Sequence, residues 1–323
     1  MKTMNIFGKK TFHSVLAGAC GLLIACGAFE SCSELKSELP SPVSANPVVH
    51  GAGWGDPASS NFHGLYLKAQ NWNYASCTTC HAQSFQGGTS GVSCSSSGCH
   101  VDASGTPKSP QACNTCHGKF NAPAGDLVSY APPRNIDGDT ATTAHGVGAH
   151  QKHLLTGTNG KTVKCQECHT VPSSVFAAGH LDTPGPAEVV FNDTLARLVT
   201  GNGTFAPSPS YDPASLRCNS TFCHGNWHAR KASTPVQFQY AFADSVIMGA
   251  NASPRWTGGS TEASCGSCHG LPPTGHIGAG ALDVTTCGNS GCHPGVVDDA
   301  GNILDKTKHI NGKIDVLGTQ VNF

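Results

Sequence analysis

Apolar side chains are scarce in this 323-residue chain. Only 38% of its residues are hydrophobic and 7% aromatic, too few for the self-sufficient core its length would otherwise require. Charge is scarce as well, at 12% of residues with a formal balance of −1, so no basic surface exists to hold a nucleic-acid backbone. Methionine is nearly missing: Met1, Met4 and Met248 are all there are, which excludes any chemistry that repeats on thioether ligands. The longest apolar run, Val15 to Ala25, is too short to cross a bilayer as a permanent helix. Long helices and strands are excluded from the other side, because 39 glycines and 20 prolines interrupt the chain throughout.

What the chain has instead is 17 cysteines and 17 histidines. In an exported chain, counts of that kind mean disulfides, metal sites or haem attachment, and spacing decides among them. Export itself is legible at the start. Lys2, Lys9 and Lys10 precede the apolar run, and Leu23-Ile24-Ala25-Cys26 looks like a bacterial lipobox, so residues 1–25 read as a lipoprotein signal peptide and Cys26 as the acylated N-terminus. Cys20 and Cys32 are then bystanders. Loss of the three signal lysines leaves 16 basic against 20 acidic side chains, which favours cationic or metal-bearing partners.

Fourteen of the cysteines fall into seven clusters, each with a histidine directly after the second cysteine. Four read CxxCH: Cys77, Cys80 and His81; Cys113, Cys116 and His117; Cys165, Cys168 and His169; Cys265, Cys268 and His269. Three read CxxxxCH: Cys94, Cys99 and His100; Cys218, Cys223 and His224; Cys287, Cys292 and His293. Two thiols on one turn of chain reach the two vinyl groups of a haem, and the adjacent imidazole then faces the iron. Two extra residues bulge without parting the histidine from its cysteine. Zinc sites pair one CxxC with another and do not demand histidine next door. The expected cofactor is therefore covalent haem c, seven per chain, with the motif histidines as proximal iron ligands.

Each iron needs a second axial ligand from elsewhere. With Met248 expected to pack, the candidates are the nine histidines outside the clusters and the signal. His63, His150, His153, His180, His276 and His309 rank first as distal ligands, with His145, His228 and His50 competing for the last place. His150 and His153 stand three apart, so on a helix they would share a face and serve two neighbouring haems. No catalytic residue is expected, since every cluster ends in histidine and none offers an open iron.

The spacing of the clusters also divides the chain. Residues 26–60 are a Ser- and Pro-rich flexible tether, 61–135 a three-haem module, 140–235 a two-haem module and 236–323 another. The last two repeat one plan: Cys168-His169 runs on to Gly179-His180, Cys268-His269 to Gly275-His276, and a CxxxxCH cluster follows each. Helix is expected only in short stretches such as His145 to Leu155 and Val236 to Met248, with Ala187 to Val199 open to strand or helix. The fold class that follows is a mostly irregular, haem-stapled chain with short α-helices and no large sheet. Seven clusters over the residues past the signal leave roughly 43 residues apiece, too few for separate insulating domains.

The mixture of CxxCH with CxxxxCH, the run Gly148-Ala149-His150 with His153 ahead of Cys165, the sequence Cys223-His224-Gly225 and the closing His309-Ile310-Asn311-Gly312 resemble the CxxxxCH/CxxCH multihaem c-type cytochromes of dissimilatory metal-reducing bacteria. The resemblance covers about residues 60–323. It implies an outer-membrane lipoprotein, periplasmic or cell-surface facing, that is no enzyme but an electron-transfer conduit. Its expected partners are other multihaem cytochromes or an outer-membrane porin–cytochrome complex, ferric or manganese oxides or electrodes as acceptors, and the membrane through its lipid. The alternatives are a multihaem reductase of a small substrate such as nitrite, which needs an open iron, and a periplasmic electron shuttle, which needs freedom from the membrane.

Overall fold

The computed structural model describes residues 49–95, 98–155, 157, 159–182, 187–191, 194–278, 286–287, 291–298 and 300–323. The signal segment, Cys26 and the tether up to residue 48 lie outside the described residues. The chain divides into two compact units, Met1–Tyr66 and Leu67–Phe323.

In the first unit the Trp54 ring organises the described residues. It stacks on His50 with ring centres 4.4 Å apart and tilts against Tyr66 at 5.3 Å. The Trp54 carbonyl accepts from both the backbone N–H and Nδ1 of His63, each at 2.9 Å. That residue opens helix α1 (His63–Ala69), which runs on past the division.

The second unit is mostly turns, as glycine and proline content requires. Among the described residues, single-turn α-helices are α2 (Thr78–His81), α3 (Leu127–Tyr130) and α4 (His150–Leu154). Four two-stranded antiparallel ribbons make up the sheets of the described residues: β1 (Gln86–Gly87) with β2 (Val92–Ser93), β3 (Ser210–Asp212) with β4 (Arg217–Asn219), β5 (His228–Arg230) with β6 (Val246–Met248), and β7 (Lys313–Val316) with β8 (Thr319–Asn322). The last is joined by Leu317 and Gly318 alone, at φ of 49° and 73°; two positive φ values give the turn whose twist matches the flanking strands. The mostly irregular fold with short helices and no large sheet is as the sequence predicts.

The helix expected over Val236 to Met248 resolves differently. Val236–Ala241 is a 3-10 helix and Val246–Met248 is β6, paired Ala229 to Ile247 with β5. The partner strand and the bridges of Phe242 to His276 and Met248 to Thr274 satisfy the backbone across the sequence rather than along it. The stretch Ala187 to Val199 forms neither regular strand nor helix among its described residues.

The largest apolar cluster is small: Ala229, Phe242 and Ile247 are buried, with Trp227, Ala241, Ile314 and Phe323 packed around them. At roughly 1.5–3 kcal/mol for each large side chain buried, it does not hold a unit of this length by itself. Val92, Leu127, Leu304 and Val236 stay more than half exposed.

Candidate functional site

Each CxxCH cluster winds into a tight turn. Cys165–Glu167 is a 3-10 helix in which the N–H groups of Cys168 and His169 both donate to the Cys165 carbonyl, at 3.2 and 3.0 Å. Cys113–Thr115 makes the same turn, and Ala75–Cys77 leads straight into α2, which ends on His81. Cysteines three apart therefore share one face of a turn. The longer cluster reaches a like end by another route. Cys218 sits in β4, Ser220 turns the corner at φ 53°, and Phe222–His224 forms the 3-10 turn that delivers Cys223 and His224 together. No disulfide joins the cysteines of the clusters that begin at Cys77, Cys113, Cys165, Cys218 and Cys265.

The histidines come together in pairs. His150 faces His169, His153 faces His224 and His309 faces His269, each with ring centres 6.2 Å apart. Every pair joins one cluster histidine to one from outside the clusters. The rings of the first pair lie 24° from parallel, those of the second and third at 84° and 72°. Two imidazoles bound on opposite sides of one metal ion, with bonds of about 2.0 Å, have ring centres roughly 6.3 Å apart. The spacing fits an iron between them. Among the described residues, no group of three or more His, Cys, Asp or Glu side chains could hold a metal ion; a porphyrin, which brings four nitrogens of its own, asks the protein for only two.

The hydrogen bonds set the same chemistry. Backbone carbonyls only accept, so each histidine bonded to one through Nδ1 carries its proton there. His150 donates to Val147 at 2.8 Å, His169 to Glu188 at 2.7 Å, His153 to Ala149 at 3.0 Å and His269 to Gly270 at 2.8 Å; His309 donates to Asn159. In the neutral ring that leaves Nε2 with its lone pair for a metal, and fixes the ring's direction. Burial, opposed by the Val147 bond and reinforced by neighbouring histidines, pushes His150 down to about 4. Burial and the nearby His153 do the same to His224. Both are neutral at physiological pH, the form that ligates.

Neighbouring clusters lie within electrostatic reach of one another. Burial pushes the Cys168 thiol up to about 12, helped by Cys218, and pushes Cys223 to about 12, helped by Glu167, Cys168 and Cys268. Burial of Cys94 is reinforced by Cys77. His117 is lowered by burial and further by His180 and Arg134, against a raising bond to Tyr130, which places His180 near the Cys113–His117 cluster, third when the seven are counted in chain order. Clusters five and six also share backbone: Ala252 N–H donates to His224 at 2.9 Å, Asn251 to Gly225 at 3.1 Å and Ala250 to Cys268 at 2.9 Å. Gly225, at φ 90°, passes so close that a Cβ there would lie 1.8 Å from the Cys268 carbonyl oxygen.

The other candidates keep different company. His180 donates from Nδ1 to Val175 at 2.8 Å, His276 to Ile277 at 2.7 Å and, among the cluster histidines, His293 to Asp315 at 2.6 Å. His145 uses Nε2 toward the Tyr211 hydroxyl at 2.9 Å, and His228 stacks on Phe205 at 3.8 Å. Met248 pairs across the ribbon with His228. One residue that sequence reasoning missed is Trp256, whose ring touches both His150 and His153. Tryptophan is rare here, four in the chain, but nothing in its local spacing marks Trp256.

Among known proteins, residues 217–269 match the family model described as the Geobacter CxxxxCH...CXXCH motif. The chain is also 33% identical over 93 residues to zinc-finger homeodomain protein 11 of Arabidopsis thaliana, an alignment that covers 25% of this chain and 38% of that protein. The chain thus spans well under half the length of that relative. No solved structure matches the chain. The matched stretch holds the Cys218 and Cys265 clusters, the two joined through residues 250–252, and the paired motif read from the sequence is borne out there: residues 217–269 carry the Geobacter CxxxxCH...CXXCH motif, consistent with a multihaem c-type cytochrome.

Proposed function

We propose that the chain binds seven covalent haems c, each closed by two axial histidines, and conducts electrons in extracellular respiration to metal oxides, electrodes or partner cytochromes. The observation that carries this reading is the set of three imidazole pairs, each uniting a cluster histidine with an outside one at 6.2 Å. His180 lies within electrostatic reach of His117, and we assign it to that iron. His63, His276 and one of His228 and His50 are left for the remaining irons, since His145 spends its Nε2 on Tyr211.

Bound haem supplies an iron that alternates between ferric and ferrous states, one electron at a time. The chain's own residues do the rest. Paired cysteines would hold each porphyrin by thioethers, and Nδ1 bonds to carbonyls aim five of the six paired imidazoles, all but His224. Histidine at both axial positions lowers the potential relative to methionine and leaves no place for a small substrate. Short turns bring successive clusters within reach, as His150 and His153 do by serving two sites from one turn of α4.

Purified holoprotein should carry seven haems per chain by pyridine haemochrome, with a matching mass increase. A count of four would mean that only the CxxCH clusters are loaded. For location, we place the protein in the outer membrane through acylated Cys26. Cys26→Ala should abolish lipid labelling and move the protein from the membrane fraction to the soluble one; a wild type that is already soluble would reject the anchor.

A further inference from the structure

Trp256 stands between the two histidines of α4. Its ring meets His150 edge to face, with centres 4.8 Å apart and planes at 87°, and lies over His153 at 5.8 Å and 24°. One indole plane is therefore nearly perpendicular to the first imidazole and nearly parallel to the second. The indole itself is pinned. Its Nε1 donates to the His145 carbonyl at 2.9 Å, its backbone N–H donates to Leu216 at 2.7 Å, and Gly148, at φ 43°, sits so near that a Cβ there would come within 1.9 Å of Nε1. Leu216 leads directly into β4 and Cys218, so the same tryptophan is tied to the fifth cluster.

A helix of five residues has little stability of its own, so the orientation of the His150 and His153 rings is shared between their Nδ1 bonds to carbonyls and the indole packed against both. We propose that Trp256 is a positioning residue that sets the planes of the His150 and His153 imidazoles, and thereby makes the haem sites at Cys165 and Cys218 electronically different. This rests on the reading of His150 and His153 as distal ligands. In the fourth site the two rings are 24° from parallel, in the fifth 84°. Parallel imidazoles donate into the same iron d orbital and separate it in energy from its partner, which gives a rhombic low-spin signal. Perpendicular imidazoles act on both orbitals alike, keep them nearly degenerate and give a strongly anisotropic signal with one low-field feature. Ligand orientation from outside the iron's own shell is among the protein's levers on a haem.

The test is low-temperature electron paramagnetic resonance of oxidised, fully loaded Trp256→Leu and Trp256→Phe proteins. Trp256→Leu should keep seven covalent haems, all low-spin, while two haem equivalents shift: one leaves the rhombic component and one leaves the strongly anisotropic component. Trp256→Phe keeps a ring without the N–H bond to His145 and should shift the same two by less. If Trp256→Leu loads incompletely, the Phe variant decides. A spectrum superimposable on wild type in the fully loaded variant overturns the proposal. His150→Ala and His153→Ala keep the two questions apart, because each should make one haem high-spin. If they stay low-spin, the distal reading itself fails and the proposal fails with it.

Discussion

Replacing His309 with alanine should turn one low-spin haem per chain high-spin and leave the covalent haem count unchanged. His309 faces His269 at 6.2 Å and donates from Nδ1 to Asn159, whose own side chain donates to Ala263 at 2.7 Å, two residues before the sixth cluster. One loop thus aims the distal ring and braces the turn that carries Cys265. Alanine removes the ring and opens a sixth coordination position, while the thioethers and the His269 bond remain. The reduced variant should then bind one equivalent of carbon monoxide per chain, where wild type binds none. His145→Ala should do neither, because its Nε2 is spent on Tyr211. A His309 variant that stays wholly low-spin would give His269 a different partner.

Loss of the fifth haem should reach beyond its own cluster. Changing Cys218 and Cys223 to serine together removes both thioether bonds at that site, so the haem count should fall by one. The turn holding Cys223 and His224 shares residues 250–252 with Cys268, and Gly225 runs directly under the Cys268 carbonyl. A porphyrin missing there leaves apolar surroundings uncovered at both clusters. Unfolding free energy should drop by at least about 3 kcal/mol, the scale of deleting one large buried side chain, and the sixth haem's spectrum should shift as well. Unchanged stability, with every remaining haem unaltered, would show that the two clusters are independent.

What was legible in the sequence follows from how far each interaction reaches along the chain. Thioether attachment fixes both cysteines and the adjacent histidine within one turn, so Cys165, Cys168 and His169 announce themselves, and the turn is there. Glycine and proline content likewise predicted short elements and no large sheet. The spacing of His150 and His153 was local enough to read, and the two do face different cluster histidines. The pairing of His309 with His269 joins separate loops through Asn159, and no periodicity connects them. Val236 to Met248 reads as helix because its own residues permit one; a partner strand at His228–Arg230 claims its last three residues. Trp256 escaped for the same reason, since its contacts lie over a hundred residues away, at 145–153.

If seven pairs of histidines close seven irons, spin quantitation of the oxidised wild-type holoprotein by electron paramagnetic resonance at neutral pH should find low-spin haem only, unchanged on adding nitrite. A native high-spin signal of one haem per chain, shifted by nitrite, would contradict it and make the protein a reductase with an open iron.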